Sequence, residues 1–172
     1  MTRSVGSARL VIQDMKASLK LDGSTTAVAL AKTAGLPLYS SNLAYSISAW
    51  FKCPIDVGAA GNSIYVDGST SGTSPLLWLQ VAPATKTIGV LLRNDAATAL
   101  INGIQATTKI GPNAWTHVVF TDNNGICKLY INGVEDANSV AGAFNYTRSG
   151  VFTMNTSTIG AAIRNTTGFY FK

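Results

Sequence analysis

Hydrolysis of a glycosidic bond needs two carboxyl groups, one to protonate the leaving oxygen and one to attack or to activate water, roughly 5 to 10 Å apart. This chain of 172 residues carries one glutamate, Glu135. Its neighbour Asp136 falls on the opposite face of any strand that holds them both. The two cannot serve one substrate, and no catalytic residue is assigned. His117 alternates with Trp115 and Val119 on a run whose two faces both carry apolar residues. It is therefore read as a largely buried histidine bonded to a loop, not as a general base. No Gly-x-Ser-x-Gly elbow accompanies it.

The two cysteines, Cys53 and Cys127, have no CxxC spacing and sit in apolar runs where a thiolate is disfavoured. With His117 alone beside them they supply too few ligands for a transition-metal cage, and no metal ligand is assigned. Both are expected to face the core as free thiols. Asp22, Asp67, Asp122 and Asn123 offer oxygen ligands to calcium if loops gather them, but their spacing is not that of a calcium loop. Turn formation by these side chains is the favoured reading. Calcium is the one cofactor not set aside.

Binding chemistry is better represented. If Ile47, Val66, Leu79, Val90 and Leu129 point inward, strand parity turns Trp50, Tyr65, Trp78 and Tyr130 the other way, among Gln80, Asn132 and several serines. Aromatic faces stack on the apolar faces of sugar rings, while amides and hydroxyls bond the sugar hydroxyls. Trp50, Tyr65, Trp78, Gln80, Tyr130 and Asn132 are accordingly the candidate ligand-binding set. The competing expectation is that loops fold over these rings and make them a second small core.

The elements that must position these groups are short β-type runs, separated by turn residues every ten or so positions, as in a sandwich or barrel. Strands are expected at 18–22, 27–30, 45–52, 63–67, 76–82, 87–93, 115–121, 127–132, 158–162 and 169–171. The clearest is 45–52, in which Tyr45, Ile47, Ala49 and Phe51 alternate with Ser46, Ser48, Trp50 and Lys52. Asn124-Gly125 is read as a hairpin turn, Asn132-Gly133 as a turn into 134–136, and Asn102-Gly103 as a weaker turn signal. Charged residues make up 12% of the chain and its net charge is +5, with the basic residues scattered singly. That pattern sets aside a nucleic-acid stripe. No apolar stretch approaches the roughly 20 residues of a membrane span, and no h-region follows Met1, so no membrane insertion and no signal peptide is expected. The sequons at Asn145, Asn155 and Asn165 matter only in a eukaryotic secretory pathway.

The run 115–121, followed by Asp122-Asn123-Asn124-Gly125 and 128–133, resembles the hallmark hairpin of the concanavalin A-like lectin/glucanase superfamily, in particular its laminin-G-like branch. Leu19-Lys20-Leu21-Asp22-Gly23-Ser24, the 45–52 strand and Thr158-Ile159-Gly160-Ala161 resemble further strands of that branch in the same order. The resemblance covers about residues 17–171. It implies an all-β, two-sheet antiparallel jelly-roll sandwich over 17–172, preceded by an N-terminal arm at 1–16. It also implies a glycosidase pattern, Glu-x-Asp-x-x-Glu, that this chain lacks, and a calcium site weakened by Ser24-Thr25-Thr26 where a second acidic residue usually follows. The family continues past the segment at 168–171 into a further strand, and the sequence stops at Lys172.

The function expected from these observations is a non-enzymatic binding or adhesion module, with carbohydrate the first ligand class. The alternative is a structural surface or decoration subunit of a larger assembly such as a virion. A protein partner or homo-oligomer is expected under either, and an extracellular, cell-surface or virion-surface location is favoured. For assembly, Leu10-Val11-Ile12 in the arm is the run expected to add as a strand to a neighbour's open sheet edge.

Overall fold

The computed structural model describes residues 2–5, 9–13, 16–30, 36–54, 61–165, 167–168 and 170–171. In chain order its elements are β1 (Thr2–Val5), β2 (Arg9–Gln13), β3 (Lys16–Lys20), β4 (Ala27–Leu30), α1 (Leu38–Ser41), β5 (Ala44–Lys52), β6 (Asn62–Gly68), β7 (Leu76–Ala82) and β8 (Thr87–Arg93). They continue with β9 (Ala99–Lys109), β10 (Trp115–Asn123), β11 (Ile126–Ile131), β12 (Val134–Glu135), α2 (Ala137–Val140), β13 (Thr156–Ile159), β14 (Ala162–Ile163) and β15 (Thr167–Gly168). Two antiparallel sheets carry the fold. The larger has the order β1-β4-β13-β6-β7-β8-β9 and the smaller β12-β11-β10-β5. This is the all-β sandwich expected from the period-two runs, and no described helix is long and apolar enough to cross a membrane.

The core lies between the sheets. Ile47 and Phe51 of β5, Val118 and Phe120 of β10 and Leu129 and Ile131 of β11 meet Leu77, Leu79 and Val81 of β7 and Ile88, Val90 and Leu92 of β8. Phe120, Leu79, Val90 and Leu129 are fully buried. Cys53, just past the end of β5, and Cys127 of β11 are buried free thiols in the same core, as expected from the alternation of their runs. A second, smaller cluster of Val66, Leu76, Trp78 and Ala162 lies outside the larger sheet, where β14 covers it.

Tight turns hold the smaller sheet in register. Asn124 and Gly125 both take positive φ, 51° and 92°, and close β10 onto β11 with Asn123 opposite Ile126. Asn132 and Gly133, at 52° and 83°, repeat the device between β11 and β12. Asn102-Gly103 behaves differently and corrects the weaker turn expectation. Its flanks are one continuous strand, β9. Gly103 takes φ 63° where the β8 partner shifts from Ile104 to Ile101, so the pair makes a bulge that keeps the strand running.

The two described strands of the expected N-terminal arm, β1 and β2, pair within this chain. β1 pairs with β4 at the edge of the larger sheet, and Leu10, Val11 and Ile12 of β2 lie opposite Leu19, Ser18 and Ala17 of β3. The expected strand 18–22 is thus β3, displaced toward the N-terminus. The expected 158–162 strand is interrupted at Gly160 (φ 84°), where a Cβ would come within 2.4 Å of Leu21 Cδ1. Of the expected 169–171 strand, Phe169 lies outside the described residues and Phe171 packs edge-on against Phe51.

Two buried carboxylates tie these elements together. Asp136 caps α2 by accepting from the Asn138 N–H at 3.0 Å, and it also accepts from the N–H and hydroxyl groups of Thr107 and Thr108 on β9. It therefore binds the larger sheet to the segment that follows β12. Asp67 of β6 accepts from the Tyr65 hydroxyl at 2.7 Å, the Ser157 hydroxyl at 2.6 Å and the Tyr39 N–H of α1 at 3.0 Å. That network seats α1 beneath β6 and β13. Arg148 then closes over the Tyr39 ring at 4.1 Å while donating to the Tyr39 carbonyl.

Candidate aromatic face of the smaller sheet

Alternation on β5 buries Ile47 and Phe51 and turns Ser46, Ser48, Trp50 and Lys52 outward. On β10 the same alternation buries Thr116, Val118, Phe120 and Asp122 and turns Trp115, His117, Val119 and Thr121 outward. The antiparallel register sets Trp50 opposite His117, Lys52 opposite Trp115 and Ser48 opposite Val119. Directly opposed side chains on one sheet face lie close enough to touch. Here the Trp50 and His117 rings stack, with centroids 4.7 Å apart and planes 15° from parallel. The other face of the indole is open, and Trp50 is 65% exposed and Trp115 54%.

The imidazole is held from below and from the side. Its Nε2 lies 2.9 Å from Ser48 Oγ. The His117 N–H donates to Asn132 Oδ1 at 2.8 Å, and the Asn132 N–H returns a bond to the His117 carbonyl. The positive φ of Asn132 in its turn presents that side chain to β10. Tyr130, opposite Val119 on β11, is half-buried on the same face. Lys128 beside it pairs with Glu135 at 3.4 Å. The result is an open surface with two exposed indoles, one backed by a hydrogen-bonded ring, bordered by hydroxyls, an amide and the Lys52 cation. Such a surface stacks apolar ring faces and bonds hydroxyl groups around them.

The six expected binding residues do not form one platform. Trp50, Tyr130 and Asn132 share this face. Trp78 and Gln80 lie outside the larger sheet, and Trp78 is buried in the second cluster with its indole N–H on Ser63 Oγ at 2.9 Å. Tyr65 is in the main core. Val66, expected to point into that core, lies instead in the second cluster. The physical cause is a bulge between Ser63 and Tyr65, where β6 gains one residue against β7 and its alternation reverses. For Trp78 the expected alternative, a second small core, is what the chain forms.

His117 also departs from expectation: it is half-buried on the open face, not in the core. Ser48 lies on the outward side where strand parity put it, whereas Trp115 and His117 were missed as members of the face. The two-residue spacing of Trp115 and His117 was visible in the sequence, but the register that sets them beside Trp50 was not. The oxygen groups considered for calcium are occupied separately. Asp22 accepts from the N–H groups of Ser24, Thr25 and Thr26, Asp67 serves its buried network, and Asp122 accepts from the Gly125 N–H and the Tyr146 hydroxyl. Among the described residues no three His, Cys, Asp or Glu side chains gather as a metal cluster. Glu135 is engaged by Lys128 and the Ser139 hydroxyl, away from Asp136.

A family model described as the concanavalin A-like lectin/glucanases superfamily matches residues 22–172. No curated protein sequence matches significantly. Among solved structures, the chain is similar to domain 4 of AbnA, an extracellular GH43 arabinanase from Geobacillus stearothermophilus, in complex with arabinotriose. The identity is 21%, the TM-score 0.59, and 93% of this chain and 72% of that one are covered. It is also similar to the CBM40 of the Ruminococcus gnavus IT-sialidase bound to α2,3-sialyllactose, at 16% identity and TM-score 0.64, covering 85% and 79%. A structure of botulinum neurotoxin type C, whose cell entry depends on two ganglioside molecules, matches at 18% identity and TM-score 0.62 over 92% of this chain and 37% of the toxin chain.

Proposed function

The chain belongs to the concanavalin A-like lectin/glucanase superfamily, and on that footing we propose that it is a non-catalytic binding module whose ligand is carbohydrate, taken on the open face of the smaller sheet. The observation that carries this reading is the exposed face of Trp50, backed by its stack on His117. A sugar ring laid on the indole buries its apolar face, and Ser48, Tyr130, Asn132 and Lys52 border it with polar groups. The likeness to the arabinanase domain and the CBM40 supports carbohydrate as the ligand class. A non-catalytic role is supported by the separate engagement of Glu135 and Asp136.

The test is a glycan array on the isolated chain, followed by titration of the best ligand against the parent and Trp50→Ala. Loss of about 1 to 3 kcal/mol of binding, by analogy with stacking of bases on aromatic side chains, supports the reading. A folded Trp50→Ala protein that binds as the parent does removes the ring from the site. Absence of any glycan ligand removes carbohydrate.

A second reading, a structural or adhesion role in an assembly at a cell or virion surface, is favoured by β5. It is an edge strand of nine residues, and among the described residues the side away from β10 has no strand partner. An edge of this kind accepts a strand from another chain. Leu10-Val11-Ile12 pairs within its own chain, so its donation to a neighbour requires opening of the β2–β3 hairpin. Deletion of residues 2–16 that leaves a folded chain with an unchanged oligomeric state excludes that run as the donor.

A further inference from the structure

The charged residues on the strands of the smaller sheet are Lys52, Asp122, Lys128 and Glu135. Asp122 is buried and accepts from the Gly125 N–H and the Tyr146 hydroxyl. Lys128 and Glu135 neutralise each other at 3.4 Å, and Glu135 also accepts from the Ser139 hydroxyl at 2.9 Å. Lys52 is exposed. Lys128–Glu135 is the only ion pair among the described residues, and Arg148 is the only described cation over an aromatic ring. No described carboxylate or ring therefore holds the Lys52 ammonium.

Register sets the position of that cation. Trp115 stands directly opposite Lys52 on β10, and Trp50 lies two residues before it on the same side of β5. Side chains so related have Cβ atoms about 5 Å apart across the pair and about 7 Å apart along the strand. Both indoles are exposed, so a ring laid on either lies within reach of the lysine's flexible stem. The other polar groups bordering Trp50, those of Ser48, Tyr130 and Asn132, are hydroxyls and an amide. A neutral sugar on this face leaves the ammonium to solvent, whereas an acidic one pairs with it through charge-assisted hydrogen bonds.

We infer that Lys52 makes the Trp50 face selective for an acidic saccharide, whose ring lies on the indole and whose carboxylate or sulfate takes the ammonium; the inference rests on the carbohydrate reading above. As a compact point charge, the ammonium accepts either anion. The test is an array of carboxylated and sulfated saccharides, each beside its carboxyl-reduced or desulfated neutral parent, followed by titration of the best pair. The full chain should bind the acidic member about fivefold more tightly, the upper end for one exposed charge pair. Added sodium chloride should erode that preference in the unsubstituted chain. Lys52→Gln should bring the ratio to about one and leave the neutral parent's affinity unchanged. Lys109→Gln, at an exposed lysine of β9 on the larger sheet, should keep the ratio and so exclude a general effect of net charge. Preference confined to carboxylates or to sulfates assigns the anion. Equal binding of acidic and neutral members, a preference that salt leaves intact, or a folded Lys52→Gln protein that retains it overturns the selectivity alone. Binding of neither member of any pair overturns the carbohydrate reading and this inference with it.

Discussion

The indole of Trp50 and the imidazole of His117 lie 4.7 Å apart and 15° from parallel, on directly opposed residues of β5 and β10. This relationship changes the role of the histidine. With one face under the indole, Nε2 beside Ser48 Oγ and its backbone bonded to Asn132, His117 acts as a backing plate that holds the exposed ring flat to the sheet.

His117→Ala should therefore weaken glycan binding without touching the sugar directly, by about 0.5 to 1.5 kcal/mol, the worth of one ring pair. His117→Phe should restore much of it. Calorimetric titration of the three proteins checks this, and equal loss in both variants would assign the effect to the imidazole nitrogens instead of the stack.

Asp136→Ala should lower stability by about 1 to 2 kcal/mol, because it removes a helix cap and takes away the shared acceptor of the Thr107 and Thr108 N–H groups. Burial alone would raise the Asp136 carboxyl. The N–H donors of Thr107, Thr108 and Asn138 and the Thr108 hydroxyl outweigh it and hold the group below its ordinary value. Its stabilising contribution is thus full above the ordinary carboxylate range and is lost as pH falls through the lowered pKa. Urea unfolding of parent and variant should converge in that acid window.

Asp67 has the opposite sign. Burial raises its carboxyl above the ordinary value, against the opposing bonds from Ser157, Tyr39 and Tyr65. The folded state then binds a proton more tightly than the unfolded chain. Stability relative to Asp67→Asn should rise as pH falls from above the raised pKa toward the ordinary carboxylate value, and level off below it. A difference between the two proteins that stays flat from neutral pH to that value would contradict this.

Cys53 and Cys127 should resist thiol reagents in the native protein. Burial pushes the Cys53 thiol up to about 12 and raises that of Cys127 as well. At pH 8 a thiol of pKa 12 is thiolate in only about one molecule in ten thousand. Labelling should await unfolding, and native-state modification of either within seconds would place it outside the core.

Much of the fold was legible because its signals are local. The strands at Ala27–Leu30, Leu76–Ala82 and Thr87–Arg93 fall where alternation and turn residues put them, and Asn124-Gly125 turns where positive φ is cheapest. The candidate face was legible only in part, through Trp50, Tyr130 and Asn132. One extra residue near Ile64 reverses the direction of every side chain after it in β6, and nothing in an unbroken buried run marks where that happens. The pairing of Trp50 with His117 depends on a long-range register, which no local pattern encodes.

The bond set between Asp136 and the two threonines makes the molecule mechanically lopsided. Along the margin where β9 meets α2 the sheets are clasped by several hydrogen bonds to one carboxylate. Along the other margin, among the described residues, β5 makes no hydrogen bond to the larger sheet, and the link runs through α1, whose Tyr39 N–H bonds Asp67 of β6. A load drawing the sheets apart should therefore open the sandwich like a book, with the Asp136 margin as its spine and the β5 margin as its fore-edge. An anchor attached near β5 would begin to unfold the domain at low force, and one attached near α2 would leave it closed.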